Sequence, residues 1–287
     1  MSVVSNTGPL AARRQLGAAL RRLRDQRAMT AEEVGGHLDC HLSKVTRLEQ
    51  GKRACTKRDF EALMDLYGVE AQERERLHAL MLRGRQRVAP WWHAYRDVIS
   101  ANYDEFLTYE AEASRCLEYQ PLLIPAQLQT EDYARAVTGV GFAALGPDQV
   151  DSLVEVKLKR QARLREEPPL EIRAVITEAA LRFHVGGPAV MRDQLRALTK
   201  AAAAPHASLR VIPCSAGEKG IATGAFTLFG IGNDADVAFV ESAEVTTFRD
   251  EPLTLRRLNR LFKNLSEAAL PEQDSLDLVK RIERELI

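Results

Sequence analysis

Short polar and long basic side chains are concentrated between Cys40 and Arg53. Val45 and Leu48 are three residues apart and are predicted to face a core if the stretch is helical. The other faces of that helix then carry Ser43, Lys44, Thr46 and Arg47. Hydroxyl, ammonium and guanidinium groups on an exposed helix face can hydrogen-bond base edges in the major groove of DNA. The stretch therefore predicts the readout of a DNA sequence.

The preceding residues predict the elements that hold this helix. Leucines at helical spacing, at positions 16, 20 and 23, predict a first amphipathic helix. Thr30 and Glu33 form a capping box that opens a second helix, which Gly35 and Gly36 weaken by roughly 1 kcal/mol each relative to alanine. Asp39 lies at the tight turn before the third helix, where a left-handed backbone is expected. These signals predict a helix-turn-helix.

Two more helices are predicted after it. Gly51 is suited to end the third helix in the left-handed conformation, and Thr56 can cap a fourth helix. The apolar stripe of the fourth helix consists of Phe60, Leu63, Met64 and Tyr67. Gly68 ends it, and a very charged fifth helix is predicted over residues 71–86.

The five short helices in this order resemble the lambda-repressor-like, or Xre-type, DNA-binding domain over about residues 13–85. The resemblance includes the sequence at the end of the third helix, Leu48-Glu49-Gln50-Gly51-Lys52-Arg53. The resemblance implies a set of side chains that face base edges: Leu42, Ser43, Thr46 and Arg47. It implies a second set that faces phosphates: Thr30, His41, Lys44, Lys52 and Arg53. It also implies that a homodimer binds double-stranded DNA at half-sites about one helical turn apart. A helical hairpin used only for protein contact is the alternative.

Charge is distributed unevenly along the chain, although its formal net charge is zero. The whole chain has 40 Lys or Arg and 40 Asp or Glu, and residues 1–58 contain 12 of the former and 5 of the latter. The rest of the chain therefore has 28 Lys or Arg and 35 Asp or Glu. The first part is thus at about +7 and the remainder at about −7. A basic N-terminal part on an acidic C-terminal part fits a DNA footprint confined to one domain.

Composition excludes several classes of protein. The four cysteines are widely spaced, with no Cys-x-x-Cys pair, so neither a zinc site nor a disulfide framework is predicted. No apolar run approaches the roughly 20 residues of a membrane span, and no signal peptide is indicated at the start. We expect a cytoplasmic, nucleoid-associated protein without membrane contact.

The domain boundary is predicted near residue 88, where Val88-Ala89-Pro90 breaks the helical pattern. Residues 1–12 are interpreted as a loose tail, 13–88 as the helix-turn-helix domain and 89–287 as a second domain. Trp91 and Trp92 follow the break. Core or interdomain packing is the favoured interpretation of the two rings, and stacking on a ligand is the alternative.

The second domain is predicted to be mixed α/β with a small, partly antiparallel sheet. Helical periodicity is present over residues 100–118, and helices are predicted over 188–203, 252–270 and 274–286. Strands are predicted over 170–176, 209–213, 225–231, 237–241 and 245–249. The last helix is interpreted as docked on its own domain, with a homodimer contact as the alternative. The fold class is therefore a mainly α domain of five helices followed by an α/β domain.

An ordered set of short motifs resembles a C-terminal domain of unknown function (DUF5753-like) found behind Xre-type domains in actinobacterial regulators. The motifs extend over about residues 90–280, and their core is Pro125-Ala126-Gln127-Leu128-Gln129-Thr130, where relatives usually have Pro-Gly-Leu-Leu-Gln-Thr. The other members of the set are Lys159-Arg160-Gln161, Ile176-Thr177-Glu178-Ala179-Ala180-Leu181, Gly186-Gly187 and Gln194-Leu195. The resemblance implies an antitoxin-like arrangement with a small partner protein encoded by a neighbouring gene. It also implies roles in development or antibiotic production.

Motifs for catalysis are missing from the sequence. It contains no Gly-x-Ser-x-Gly elbow, P-loop, Gly-x-Gly-x-x-Gly or His-Glu-x-x-His, and its six histidines show no spacing for metal ligation. Glu178 is the carboxylate whose setting suits burial with a raised pKa, although helix capping or an ion pair explains it equally well. The loop at 218–224 is interpreted as a lid over a ligand or a mobile hairpin. We expect no cofactor and no enzymatic activity.

The sequence is consistent with three functions. The leading hypothesis is a sequence-specific transcriptional regulator whose second domain senses a partner protein or ligand. The second is an enzyme or ligand-processing domain that a DNA-binding domain directs to DNA. A pocket with convergent charged groups, such as Glu178, Arg173 or Arg182, favours this second function, whereas an apolar pocket favours the sensing of a ligand. The third is a protein–protein scaffold.

Overall fold

A computed structural model of the chain describes residues 8–86, 89–140, 145–220, 222, 224–231, 236–242 and 246–286. The chain forms two compact units, of which the first ends at Pro90 and the second begins at Trp91. Residue 88, near which we predicted the boundary, lies outside the described residues.

The N-terminal unit consists of the five predicted helices. They are α1 (Pro9–Gln26), α2 (Ala31–His37), α3 (Leu42–Glu49), α4 (Lys57–Leu66) and α5 (Ala71–Gly84). Local side chains set their starts: Thr30 caps α2 with the full capping box, and Thr56 caps α4. Asp39 has the predicted left-handed backbone, with φ of 50°.

Helix α1 begins earlier than the sequence indicated. Residues 9–12 were assigned to a loose tail, but they form the first turn of the helix. Pro9 suits the first helical position, where a missing N–H costs nothing. Leu10, Ala11 and Ala12 are buried, so burial of this turn fixes it.

The core of this unit lies between α4 and the other helices. Phe60, Leu63, Met64 and Tyr67 are all at most 2% exposed, which confirms the predicted apolar stripe of α4. They pack in one cluster with Val34, Val45 and Leu48, among other residues. The two inward side chains of α3 thus anchor it in the centre of the unit.

The C-terminal unit alternates helices and strands. Its helices are α6 (Ala101–Glu112), α7 (Glu131–Gly139), α8 (Pro147–Arg160), α9 (Glu178–Arg182), α10 (Pro188–Ala201), α11 (Pro252–Ala268) and α12 (Glu272–Glu285). Its strands are β1 (Arg115–Gln120), β2 (Glu171–Thr177), β3 (Ala207–Ile212), β4 (Phe226–Gly230), β5 (Val237–Glu241) and β6 (Thr246–Arg249). Short 3-10 turns are formed by Trp91–Tyr95, Ala126–Leu128, Gln161–Leu164 and Cys214–Gly220.

The six strands form one mixed sheet in the order β3-β2-β1-β4-β5-β6. Strands β3, β2 and β1 are parallel, and β1, β4, β5 and β6 are successively antiparallel. The mixed α/β class and the partly antiparallel sheet are therefore confirmed. The parallel half is covered by α10 and α12, and Leu278, Val279 and Ile282 are buried there, which confirms that the last helix docks on its own unit.

The predicted extent of the first helix of this unit is wrong. Helical periodicity predicts a helix through residue 118, but α6 ends at Glu112 and β1 begins at Arg115. Strand β1 lies in the middle of the sheet with both faces covered, so nearly all its side chains are buried. Leu117 and Tyr119 pack in one cluster with residues of α11, while Glu118 and Gln120 alternate with them on the opposite face.

Further sequence predictions concern tryptophan and cysteine. Trp92 is buried against Leu107 and Val156 and donates a hydrogen bond to Asp104 Oδ1 at 2.8 Å, which confirms packing for this ring. Trp91 is 42% exposed.

The four cysteines are free thiols. Over the described residues, no helix is long and apolar enough to cross a membrane.

Candidate DNA-binding surface

Helix α3 is held against α1 by close backbone contact. A Cβ atom on Gly17 of α1 would lie 2.4 Å from the carbonyl oxygen of Glu49, which is closer than real Cβ contacts come. Gly51 then takes a left-handed backbone, with φ of 70°, and ends the helix as predicted. The contact and the turn together set the position of the predicted reading helix.

An ion pair between α1 and the end of α3 reinforces this position. Arg24 binds the carboxylate of Glu49 with two hydrogen bonds, Nε to Oε1 at 2.6 Å and Nη2 to Oε2 at 3.0 Å. Its Nη1 donates to the carbonyl oxygen of Met29 at 2.8 Å. The hydrogen bond to Glu49 raises the pKa of Arg24. Both side chains are largely buried, so the pair fixes the C-terminal end of α3.

The four side chains expected to face bases share one side of α3. At about 100° per residue, positions 42, 43, 46 and 47 fall within an arc of about 140°, opposite the buried Val45 and Leu48. Leu42 is 42% exposed. Ser43 and Arg47 are exposed and Thr46 is half-buried. The structure thus brings this set together on an accessible face.

These four residues differ in what they can offer a base. The Thr46 hydroxyl donates to the carbonyl oxygen of Leu42 at 3.1 Å, so it keeps acceptor capacity. The Ser43 hydroxyl lies 3.0 Å from His41 Nδ1. For Arg47, no hydrogen bond or ion pair of the guanidinium occurs within the described part of the chain. Its five donors therefore suit the two acceptors of guanine.

Two of the five residues expected to face phosphates also cap helices. Thr30 accepts a hydrogen bond from the Glu33 amide at 3.2 Å, and His41 accepts one from the Ser43 amide at 3.2 Å. Both cap helices. Lys52 and Arg53 are exposed directly after α3.

Lys44 has a partner that the sequence did not suggest. Its ammonium donates to Asp59 Oδ1 at 2.8 Å, and the side chains of the two residues are 21% and 6% exposed. Asp59 belongs to the first turn of α4 and its own amide donates to Thr56 Oγ1. Lys44 therefore connects α3 to α4.

Two basic residues that motif-based reasoning missed lie close by in the sequence. Lys57 and Arg58 are exposed and begin α4. The signal for them in the sequence is the recurrence of adjacent basic pairs at 52–53 and 57–58. We add them to the candidates for phosphate contact.

The candidate residues of the C-terminal unit have surface partners. For Glu178, burial favours the neutral form, but hydrogen bonds from the Cys214 amide at 2.9 Å and from Arg182 outweigh it and lower the pKa. The suggestion of a raised pKa is therefore wrong. Arg182 also pairs with Glu285, and Arg173 pairs with Glu171. Residues 221 and 223 of the candidate lid at 218–224 lie outside the described residues.

Two family models match this chain. A helix-turn-helix domain model (HTH_31) matches residues 15–77. A model of a domain of unknown function (DUF5753) matches residues 103–281. Comparison with curated proteins and with solved structures found no match.

Proposed function

We propose that this chain, which belongs to the DUF5753 family and carries a helix-turn-helix domain before the DUF5753 domain, is a sequence-specific DNA-binding transcriptional regulator. The observation that carries the proposal is the exposed face of α3, on which Ser43, Thr46 and Arg47 lie together. The face is held rigidly from behind by the Arg24–Glu49 pair. Basic residues flank it on the following turn and at the start of α4.

Arg47 supplies the sharpest test of sequence readout. The preferred site of the full chain is first selected from random duplex DNA, and binding is then measured for Arg47→Ala and Arg47→Lys. A bidentate arginine–guanine contact discriminates by about 1–3 kcal/mol, so Arg47→Ala weakens binding to the selected site by about 5- to 150-fold. Arg47→Lys keeps the charge but loses the two-point contact, so it restores only part of the loss.

A surface arginine on α5 gives the matched control. Arg76 pairs with Glu73 and carries the same charge, so Arg76→Ala leaves preference for the selected site unchanged. Failure of the selection to enrich any sequence contradicts the proposed function. Equal affinity of the native chain and Arg47→Ala removes Arg47 from readout.

Dimeric binding is part of the proposal. Its support is the resemblance to the lambda-repressor-like domain, which reads two half-sites about one turn apart. The selected site is then a pseudo-palindrome, and light scattering of the protein–DNA complex gives two chains per duplex. A single half-site bound by one chain contradicts this part.

Regulation and location complete the proposal. The family resemblance supports a small partner protein encoded by a neighbouring gene and control of development or antibiotic production. Co-purification of tagged protein with its partners, together with genomic footprinting, tests both. A regulator of this kind works at the nucleoid in the cytoplasm and has neither a cofactor nor catalytic activity of its own.

One observation favours the alternative function, an enzyme or ligand-processing domain, for the C-terminal unit. A pocket with convergent charged groups was the feature named for the alternative function, and such a cavity is present. Its charged residues are Glu118, Lys157, Arg160 and Glu241. A second cavity is lined by Arg173, one of the three residues predicted for such a pocket, together with Glu171, Arg210 and Glu272.

A further inference from the structure

The cavity lies on one face of the sheet beneath α6 and α8 and has a volume of about 200 Å³. Its apolar wall includes Phe106, Leu123, Ile124 and Val137. Its polar end is formed by β1 and β5, which contribute Glu118, Gln120 and Glu241. Polar groups at one end and apolar groups elsewhere are the usual composition of a small-molecule site.

The two carboxylates are bridged by one amide. Gln120 Nε2 donates to Glu118 Oε1 at 3.1 Å and to Glu241 Oε1 at 3.3 Å. Glu118 is only 5% exposed. Burial and the nearby charge of Glu241 raise the pKa of Glu118 to about 8, and burial also raises the pKa of Glu241. The protein groups of the cavity alone thus disfavour full ionisation of its carboxylates.

The cations of the cavity already have partners. Arg160 makes two hydrogen bonds to the buried Glu110, Nε to Oε2 at 2.6 Å and Nη2 to Oε1 at 2.7 Å. Lys157 donates to Thr138 Oγ1 at 2.8 Å. With every group ionised, the three carboxylates of Glu110, Glu118 and Glu241 face two cations. One negative charge is left uncompensated, which is costly in a buried site.

An unpartnered acceptor points to a ligand independently of the charges. Gln129 lines the cavity and is 7% exposed. Its Nε2 donates to the carbonyl oxygen of Ile124 at 2.7 Å, which fixes the orientation of the amide. Its buried Oε1 has no hydrogen-bond partner among the described residues. A buried acceptor of this kind lacks a donor, and an N–H group in the cavity would supply one.

We propose that this cavity binds a small organic monocation, an amine or a guanidine with a short apolar body. The cation supplies both the missing positive charge and donors for the carboxylates and Gln129. Because an apolar cavity of about 150 Å³ holds benzene, a volume of about 200 Å³ suits a ligand of about six to ten non-hydrogen atoms.

Binding of the cation is coupled to loss of a proton. Burial and the charge of Glu241 favour the neutral form of Glu118, whereas a bound cation favours the ionised form, so binding tightens as pH rises from 6 to 8. The groups that face Glu118 from the surrounding elements are Gln120 on β1, Glu241 on β5, Glu110 on α6, and Lys157 and Arg160 on α8. Burial and the charges of Glu241 and Glu110 oppose the ionisation of Glu118, whereas Arg160 and Gln120 favour it.

The test uses calorimetry on the full chain with three cationic probes: benzylamine, hexylamine and butylguanidine. Benzyl alcohol and benzoate are the neutral and anionic counterparts. At least one cation binds with a Kd of about 1 mM or lower, at least tenfold more tightly than benzyl alcohol, and benzoate does not bind. In buffers of different ionisation enthalpy, the heat at pH 7 shows proton release.

Variants locate the binding. Glu118→Gln and Glu241→Gln keep the shape of the side chains and each weaken cation binding by about tenfold or more. Glu171→Gln removes an exposed carboxylate on β2 and leaves binding unchanged. The proton-release measurement on the native chain does not depend on how the variants fold.

Three results overturn the proposal: none of the cations binds with a Kd of about 1 mM or lower, benzyl alcohol binds as tightly as the cations, or Glu118→Gln binds the cations as tightly as the native chain. The inference depends on the proposed function only where the bound cation is taken to be a signal for DNA binding. If the chain binds DNA but no cation, the proposal that the cavity binds a cation is refuted and the proposed function stands. Cation binding without DNA binding refutes the regulator alone.

Discussion

Lys44 on α3 donates a hydrogen bond to Asp59 on α4 at 2.8 Å, and the Asp59 side chain is only 6% exposed. The pair connects the reading helix to the element that follows it. An almost buried carboxylate needs this cation, because burial of an unpaired charge is expensive. The role of Lys44 is therefore expected to show in stability more than in contact with DNA.

Lys44→Met lowers the free energy of unfolding by about 1–3 kcal/mol, because the buried Asp59 loses its charged partner. Its DNA affinity keeps the native dependence on salt. Arg53→Met gives the opposite pattern, native stability and a salt slope reduced by about 0.9. Urea unfolding and fluorescence anisotropy over a salt series measure the two quantities. A reduced slope for Lys44→Met shows that its ammonium contacts phosphate.

Two glycines of the N-terminal unit respond in opposite directions to alanine. Gly17→Ala places a Cβ atom 2.4 Å from the backbone oxygen of Glu49, so α1 and α3 must separate and the unit is destabilised. Gly36→Ala meets nothing within 4 Å and stabilises α2 by about 0.4–1 kcal/mol. The midpoints of thermal unfolding of the two variants, compared with that of the native chain, test these opposite effects. Equal midpoints contradict the close contact of α1 with α3.

Arg160→Met destabilises the C-terminal unit by about 3–5 kcal/mol, since Glu110 is then left buried without its partner. Arg160→Lys does not recover the loss, because one ammonium cannot replace the two parallel hydrogen bonds. Arg135 is a matched control, as it pairs with two carboxylates at the surface. Arg135→Met leaves urea unfolding unchanged. A similar loss for both variants indicates that burial of the pair has no special effect.

Glu118 predicts a definite dependence of stability on pH. Its pKa is about 8 in the folded chain and near the ordinary 4.5 when unfolded. Between pH 5 and 7 the folded state keeps a proton that the unfolded state has lost, so this group makes stability fall as pH rises. The Glu118→Gln variant lacks this pH dependence, so its free energy of unfolding rises relative to that of the native chain by about 1 kcal/mol per pH unit. A constant difference across this range, measured by urea unfolding, contradicts the raised pKa.

Much of the N-terminal unit could be predicted because its determinants are local. The Thr30–Glu33 box, the left-handed Asp39 and the end of α3 at Gly51 each depend on residues within one turn. The pair between Arg24 and Glu49 could not be predicted, since its partners are 25 residues apart and charged residues are common on helices. The assignment of base and phosphate contacts stays a prediction.

The centre of the second unit was harder to predict. Strand β1 has Glu118 and Gln120 on one face, whereas a buried central strand is expected to be almost entirely apolar. The same polar residues form the cavity. Its remaining walls include residues of α6, α7, α8, β5 and the segment 123–129, which are spread along the chain, so no local pattern could reveal it. Gln127 follows the same rule: it departs from the motif of relatives and is buried against Glu110.

Helix α3 keeps the determinants of folding and the side chains proposed to read bases on different sides. Val45, Leu48 and Glu49 hold the helix in its unit, while positions 42, 43, 46 and 47 contribute little to that packing. Substitutions in the second group can therefore accumulate without unfolding the protein. If the proposed function holds, exchange of these four side chains within an unchanged scaffold changes the DNA site that the protein binds, over evolutionary time or in the laboratory.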